Sequence, residues 1–182
     1  MMTLHLDGEG DINVPVGKSF PSRIVADKLG EQFKTSRFNT YLNSGRAHAV
    51  QQDGIYGLLN EFNAYYHGVV AYNSIRKKKI WKNYINNDTC EPFYELKLWI
   101  LEHILISKEK YPDIYQDLIG NKTYFHAFTN IHDRFARLCT YRMNLKSAAG
   151  KDKMLKDYKP YIDRLNSEPV KSVMKQTYLW AK

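Results

Sequence analysis

Apolar residues recur at intervals of three and four along most of this chain, and that recurrence predicts helices. From about residue 53 to 73, Ile55, Leu58, Leu59, Phe62, Tyr66, Val69 and Val70 form one continuous stripe, with Gly57 and Gly68 leaving room for a neighbouring helix. The stretch from Phe93 to Tyr111 is apolar around most of its circumference, the pattern of a central helix covered on several sides, and Pro92 stands where such a helix begins. Pro112 opens a short helix ending at Gly120. Asn121 is placed to cap the next, in which Tyr124, Phe125, Phe128, Ile131, Phe135 and Leu138 run at helical spacing toward Met143.

The flanks are less regular. Residues 3 to 20 alternate weakly, with Ile12, Val14 and Val16 on one side and Asp11, Asn13 and Pro15 on the other, which predicts a short strand or hairpin decorating the molecule, with Pro15 confining it to an edge. After Pro21, Ile24, Val25, Leu29, Phe33, Tyr41 and Leu42 imply one or two amphipathic helices with a soft point at Gly30, stopped at Asn43-Ser44-Gly45. Ala148-Ala149-Gly150 reads as a linker. Two shorter helices follow, one interrupted by Pro160 and one opening near Ser167 and Pro169. The expected fold is all-α, a single bundle of six to eight helices with a short N-terminal extended segment. The expected divisions are 1–20, a helical core at 21–146, and basic C-terminal helices at 147–182.

A chain of 182 residues, 43% of them hydrophobic, is long enough to bury its own core. Its net charge of +8 is unevenly placed. Residues 1–60 hold six basic and six acidic side chains, whereas residues 134–182 hold twelve basic and four acidic. Localised positive charge suits a polyanionic partner, because neutralising phosphates releases condensed counterions; a solvated, solubilising surface accounts for the same charge. Two cysteines, Cys90 and Cys139, are too few for a disulfide scaffold and fit a reducing compartment, as a pair of buried thiols. The acidic, polar N-terminus is unlike a secretory leader, and the greasiest run, from Phe93 to Ile106, is interrupted by Glu95, Lys97, Glu102 and His103. The expected location is the cytoplasm, with no membrane insertion.

Phosphate contacts are assigned to two groups. Arg76, Lys77, Lys78, Lys79 and Lys82 interleave with Ile80, Trp81 and Tyr84, charge mixed with aromatic faces. Arg134, Arg137, Arg142, Lys146, Lys151, Lys153, Lys156 and Lys159 form the larger group, continued by Arg164, Lys171 and Lys175 and accompanied by Tyr141, Tyr158, Tyr161 and Tyr178. Catalytic chemistry has less to work with. Glu61 and His67 are six residues apart, about 600° of helical rotation, and no two of the six histidines have the i, i+3 or i, i+4 spacing of a metal-binding helix. Glu102–His103 and His132–Asp133 are adjacent pairs that need partners from other helices to act as acid and base.

The run Tyr56-Gly57-Leu58-Leu59-Asn60-Glu61-Phe62-Asn63-Ala64-Tyr65-Tyr66-His67-Gly68, followed by Phe93 to Leu101, resembles the helical portion of gluzincin-like metallopeptidase relatives over roughly residues 54–138. The resemblance implies a zinc-ligand position at Glu61, within Asn-Glu-x-x-Ala, and leaves the His-Glu-x-x-His helix unmatched. A buried carboxylate held by Tyr or Asn neighbours is the plainer reading of Glu61. In size, charge and missing catalytic motif the chain is also similar to mobile-element factors, including anti-CRISPR inhibitors of the RNA-guided nuclease Cas9. The expected function is therefore non-enzymatic binding of nucleic acid or a nucleoprotein, such as Cas9 with its guide RNA and DNA, without a metal or cofactor. The alternatives are a zinc protein built on Glu61 and a protein-only interaction module.

Overall fold

The structure, a computed structural model, describes residues 1–43, 49–76 and 90–182. Strands β1 (Met2–Leu6) and β2 (Gly10–Val14) pair antiparallel, with Met2 opposite Val14 and Leu6 opposite Gly10. Gly8 and Gly10 take positive φ, 79° and 81°, in the turn that reverses the chain. The hairpin closes just before Pro15, which has no N–H to give to a ladder. It is not a decoration. Leu4, Leu6 and Val14 are fully buried and rest against the long helices, so this face of the sheet belongs to the common core. Val16 instead points to solvent, 48% exposed.

The segment after Pro21 is broken more finely than its periodicity predicts. It forms α1 (Arg23–Ala26), a 3₁₀ turn at Glu31–Phe33, and α2 (Ser36–Tyr41), capped by Thr35. A single turn, α3 (Ala49–Gln52), then leads through Gly54, at φ 56°, into α4 (Ile55–Arg76). Helix α5 (Glu91–Lys110) is the centre of the molecule, with Leu96, Leu98, Trp99, Ile100, Leu101, Ile104 and Ile106 all at zero exposure and α4, α7, α9 and α10 packed around it. Pro92 in its first turn fixes φ where an N–H has no helical partner to lose.

Helix α6 (Pro112–Gly120) ends at Asn121, whose Oδ1 accepts from the Tyr124 N–H at 3.0 Å and so starts α7 (Lys122–Asn144). Ala148-Ala149-Gly150 is not a linker. Ser147 accepts from the Gly150 N–H and opens α8 (Ala148–Asp157), a helix start that the small residues obscure in the sequence. Pro160 sits in the first turn of α9 (Lys159–Leu165), and α10 (Glu168–Trp180) closes the chain. The result is a mainly helical bundle whose single core cluster runs from Leu4 in the hairpin to Val173 in α10. Among the described residues no helix is long and apolar enough to cross a membrane.

The two cysteines are not separate thiols. Cys90, at the entrance to α5, and Cys139, on α7, form a disulfide with their Cα atoms 5.6 Å apart, both almost completely buried. Forty-nine residues separate them in sequence, and their meeting is a consequence of how α5 crosses α7.

Candidate functional site

The C-terminal half of α7 and its cap residue Leu145 place Arg137, Tyr141 and Leu145 four residues apart, on one outward stripe. Tyr141 is 53% exposed and Leu145 56%, and Leu155 on the following helix, α8, is 43% exposed. Arg137 and Lys156 are exposed and carry no ion pair among the described residues. Lys153 reaches Asp157 at 2.5 Å and Lys159 reaches Asp163 at 2.6 Å, both as exposed i, i+4 pairs. Such pairs are worth a few tenths of a kcal/mol to about 1 and leave the excess of positive charge in place. Lys146 and Lys151 are half-buried on the same stretch of chain.

Two of the arginines expected to meet phosphate serve the fold instead. Arg142 is 7% exposed; its Nη1 donates to Asn73 Oδ1 at 2.6 Å and its guanidinium lies 4.9 Å from the Tyr72 ring centre. Arg164 on α9 donates to Glu102 on α5, a carboxylate otherwise sealed in the core. Arg134 is partly buried and donates to Asn130 at 2.9 Å. Lys77, Lys78, Lys79 and Lys82 lie outside the described residues, as does the side chain of Arg76.

The flanks of that basic segment are nevertheless placed. Tyr72 and Asn73, in the last turns of α4, are tied to Arg142, and Cys90, where the described chain resumes, is bonded to Cys139. Both flanks of residues 77–89 are thus fastened to one turn of α7, between Cys139 and Arg142, beside the Arg137–Tyr141–Leu145 stripe. Sequence reasoning treated the two basic groups as separate. The contacts that hold Asn73 and Cys90 to α7 are tertiary and leave no periodic signal.

Glu61 is held as its plainer reading has it. It is half-buried on α4 and hydrogen-bonded to Tyr41, whose hydroxyl lies 3.2 Å from that of Tyr65. Burial raises the Glu61 carboxyl above the ordinary range, and the Tyr41 bond opposes that shift. His67 faces away, with Nε2 donating to the His5 carbonyl at 2.9 Å and Nδ1 3.9 Å from Asp7. A carboxylate flanked by two phenols lacks the imidazole donors of a gluzincin centre, so these residues do not fit a zinc ion. Among the described residues no group of three or more His, Cys, Asp or Glu is placed to hold a metal. Arg37 on α2 donates to both Glu91 and Glu95 on α5, the latter completely buried.

The remaining described histidines each have a partner on at least one ring nitrogen. His126 and Asn130 bond the two oxygens of Glu9 in the hairpin turn, at 2.6 and 2.5 Å, and Tyr66 donates to Asp7. His103 does not work with Glu102. It is fully buried, stacked on Phe20 at 3.7 Å between ring centres, and its Nε2 donates to the Phe20 carbonyl at 3.1 Å, which leaves Nδ1 as a lone pair without a partner. Burial pushes its pKa down to about 4, so it is neutral at pH 7. His132 and Asp133 do meet: His132 Nδ1 lies 3.0 Å from Asp133 Oδ1 and 3.0 Å from the Tyr178 hydroxyl, and Tyr178 donates to the same Asp133 oxygen. The partner that this adjacent pair needed comes from α10. Compared with known protein families, curated proteins and solved structures, the chain matches none.

Proposed function

We propose that the protein binds nucleic acid, free or within a nucleoprotein, through the outer stripe of α7, helix α8 and the basic segment that follows α4. The observation that carries this reading is convergence. Asn73 and Cys90, on either side of residues 77–89, are both held at the stretch of α7 that exposes Arg137 and Tyr141. Cations there meet phosphate while the Tyr141 ring stacks on a base, the combination that holds single strands without reading their sequence. The exposed pairs Lys153–Asp157 and Lys159–Asp163 are weak enough for phosphate to displace the carboxylates. An RNA-guided nuclease carrying its guide, the target of the Cas9-inhibitor reading, offers the same backbone chemistry.

The test is a salt titration of binding to single-stranded DNA and RNA oligonucleotides. Replacing Arg137 and Lys156 by alanine removes two phosphate contacts, and the slope of log affinity against log salt is expected to become shallower by roughly 1.5. Tyr141→Ala is expected to cost about tenfold in affinity at any one salt concentration, the worth of one stacked base. Affinity indifferent to salt, or unchanged in all three substitutions, overturns the proposal.

The Cys90–Cys139 disulfide favours a second reading, a protein-only interaction module in an oxidising compartment, with Tyr141, Leu145 and Leu155 as its apolar contacts. A cytoplasmic location goes with the reduced pair, and the two readings separate in the same titration, because apolar contacts survive high salt.

A further inference from the structure

A cavity of about 470 Å³ opens between α5, α9 and the start of α10, and none of its lining residues belongs to α7 or α8. That volume suits a small molecule. Its lining is charged in both senses, with Lys28, Lys108 and Arg164 set against Glu102 and Glu109, and Leu105 and Pro169 supply an apolar remainder. Lys28 and Glu109 pair with each other.

The inner charges are only half answered. Arg164 donates its Nε to Glu102, and its two terminal nitrogens have no hydrogen-bond partner among the described residues. Glu102, whose side chain is 3% exposed, accepts through Oε1, and no described residue donates to its Oε2. Lys108 is exposed and carries no ion pair among the described residues. Leu101, His103 and Ile104 on either side of Glu102 are fully buried, so the core of the bundle holds this carboxylate in place.

We propose that this cavity binds a free α-amino acid with an aliphatic side chain, gripped at both ends of its zwitterion. The ligand carboxylate takes the terminal nitrogens of Arg164, whose planar fork matches two carboxylate oxygens, and Lys108 adds the one cation left over when the other charges cancel in pairs. The ligand ammonium donates to Glu102 Oε2, and its side chain rests on Leu105 and Pro169. A simple anion would face Glu102 Oε2 without a proton to give it, and a simple cation would leave the Arg164 fork empty. Only a ligand carrying both charges answers both groups, and a buried polar group left unanswered costs more than a made bond returns.

The probe is L-leucine, titrated into the isotope-labelled full chain and followed through amide chemical shifts. Isocaproate, which lacks the ammonium, and leucinamide, which lacks the carboxylate, are titrated beside it. Saturation at millimolar leucine is expected, with the largest shifts at Leu105, Lys108 and the first turn of α10, and each analogue is expected to bind about tenfold more weakly for the loss of one charge-assisted pair. Glu102→Gln keeps an oxygen for Arg164 but turns the free acceptor into a donor, so leucine is expected to weaken by about tenfold and isocaproate not at all. Lys108→Ala alters only an exposed position, and is expected to weaken leucine and isocaproate together by about threefold. No saturable shift at millimolar leucine, or either analogue binding as tightly as leucine, overturns the proposal. So does leucine affinity unmoved in folded Glu102→Gln or, where that variant does not fold, in Lys108→Ala.

Discussion

Glu61 and Lys97 are both ionisable side chains set part-way into long helices, and the fold treats them in opposite ways. Around Glu61 the sequence supplies a donor, Tyr41, and a second phenol behind it. Around Lys97 it supplies the face of the Phe93 ring and Asp133, whose Oδ1 is shared by Tyr178 and His132. Glu61 carries the motif that invites a catalytic reading, yet it is the satisfied group, and Lys97, which belongs to no motif, is the chemically unsettled one. Chemical potential in a buried side chain follows from what its neighbours leave unanswered, which a motif cannot report.

That contrast is broken most directly where a buried charge depends wholly on its partner. Arg37→Met strips Glu95, completely buried, of its cation and leaves Glu91 unpaired beside it. Because a buried carboxylate must then be either desolvated alone or protonated, a loss of about 3 kcal/mol is expected in urea unfolding. A loss below about 1 kcal/mol would mean that Glu95 is already neutral and that Arg37 contributes little.

The helical frame was largely legible in the sequence. Pro92, Pro112 and Asn121 mark the starts of α5, α6 and α7 because their chemistry is local: a missing N–H, a fixed φ, or a side-chain oxygen within reach of the first turn. What escaped was decided by partners distant in the chain. Alternation in residues 2–14 shows two faces but not that Leu4 and Leu6 would be covered by α4 and α7. Cys90 and Cys139 stand 49 residues apart, and nothing near either one announces the other. Lys97, Glu95 and Glu102 look alike as polar interruptions of one greasy run. Two of them receive arginines, from α2 and α9, and the third receives none. Of the residues expected to meet phosphate, Arg137 and Lys156 stay exposed as the charge pattern implies, whereas Arg142 is drawn inward because Asn73 and Tyr72 lie opposite.

The second prediction reverses the sign of the first. Lys97→Met keeps the length and removes a poorly solvated charge, so it is expected to stabilise the protein by about 1–2 kcal/mol at pH 7. The native pKa of about 8 lies below the ordinary 10.5, so between those values the unfolded chain holds a proton that the native state has released. Stability contributed by this group therefore rises with pH through that window and is absent below it. Subtracting the variant's pH profile from the parent's isolates that rise. A flat difference, or a variant less stable than the parent, would show that Lys97 has a partner after all.

The smallest effect is expected at the residue with the most conspicuous motif. In Glu61→Gln the amide oxygen still accepts from Tyr41, and no charge remains to be desolvated, so unfolding is expected to change by less than about 1 kcal/mol at neutral pH. The pH dependence separates this from mere tolerance. Since burial raises the Glu61 carboxyl above 4.5, the native state takes up its proton before the unfolded chain does, and the parent gains stability relative to the variant as pH falls through that interval. A large loss at neutral pH, or a parent that instead weakens relative to Glu61→Gln in acid, would mean that the ionised carboxylate answers a cation, and Glu61 would then belong with Glu95 rather than opposite Lys97.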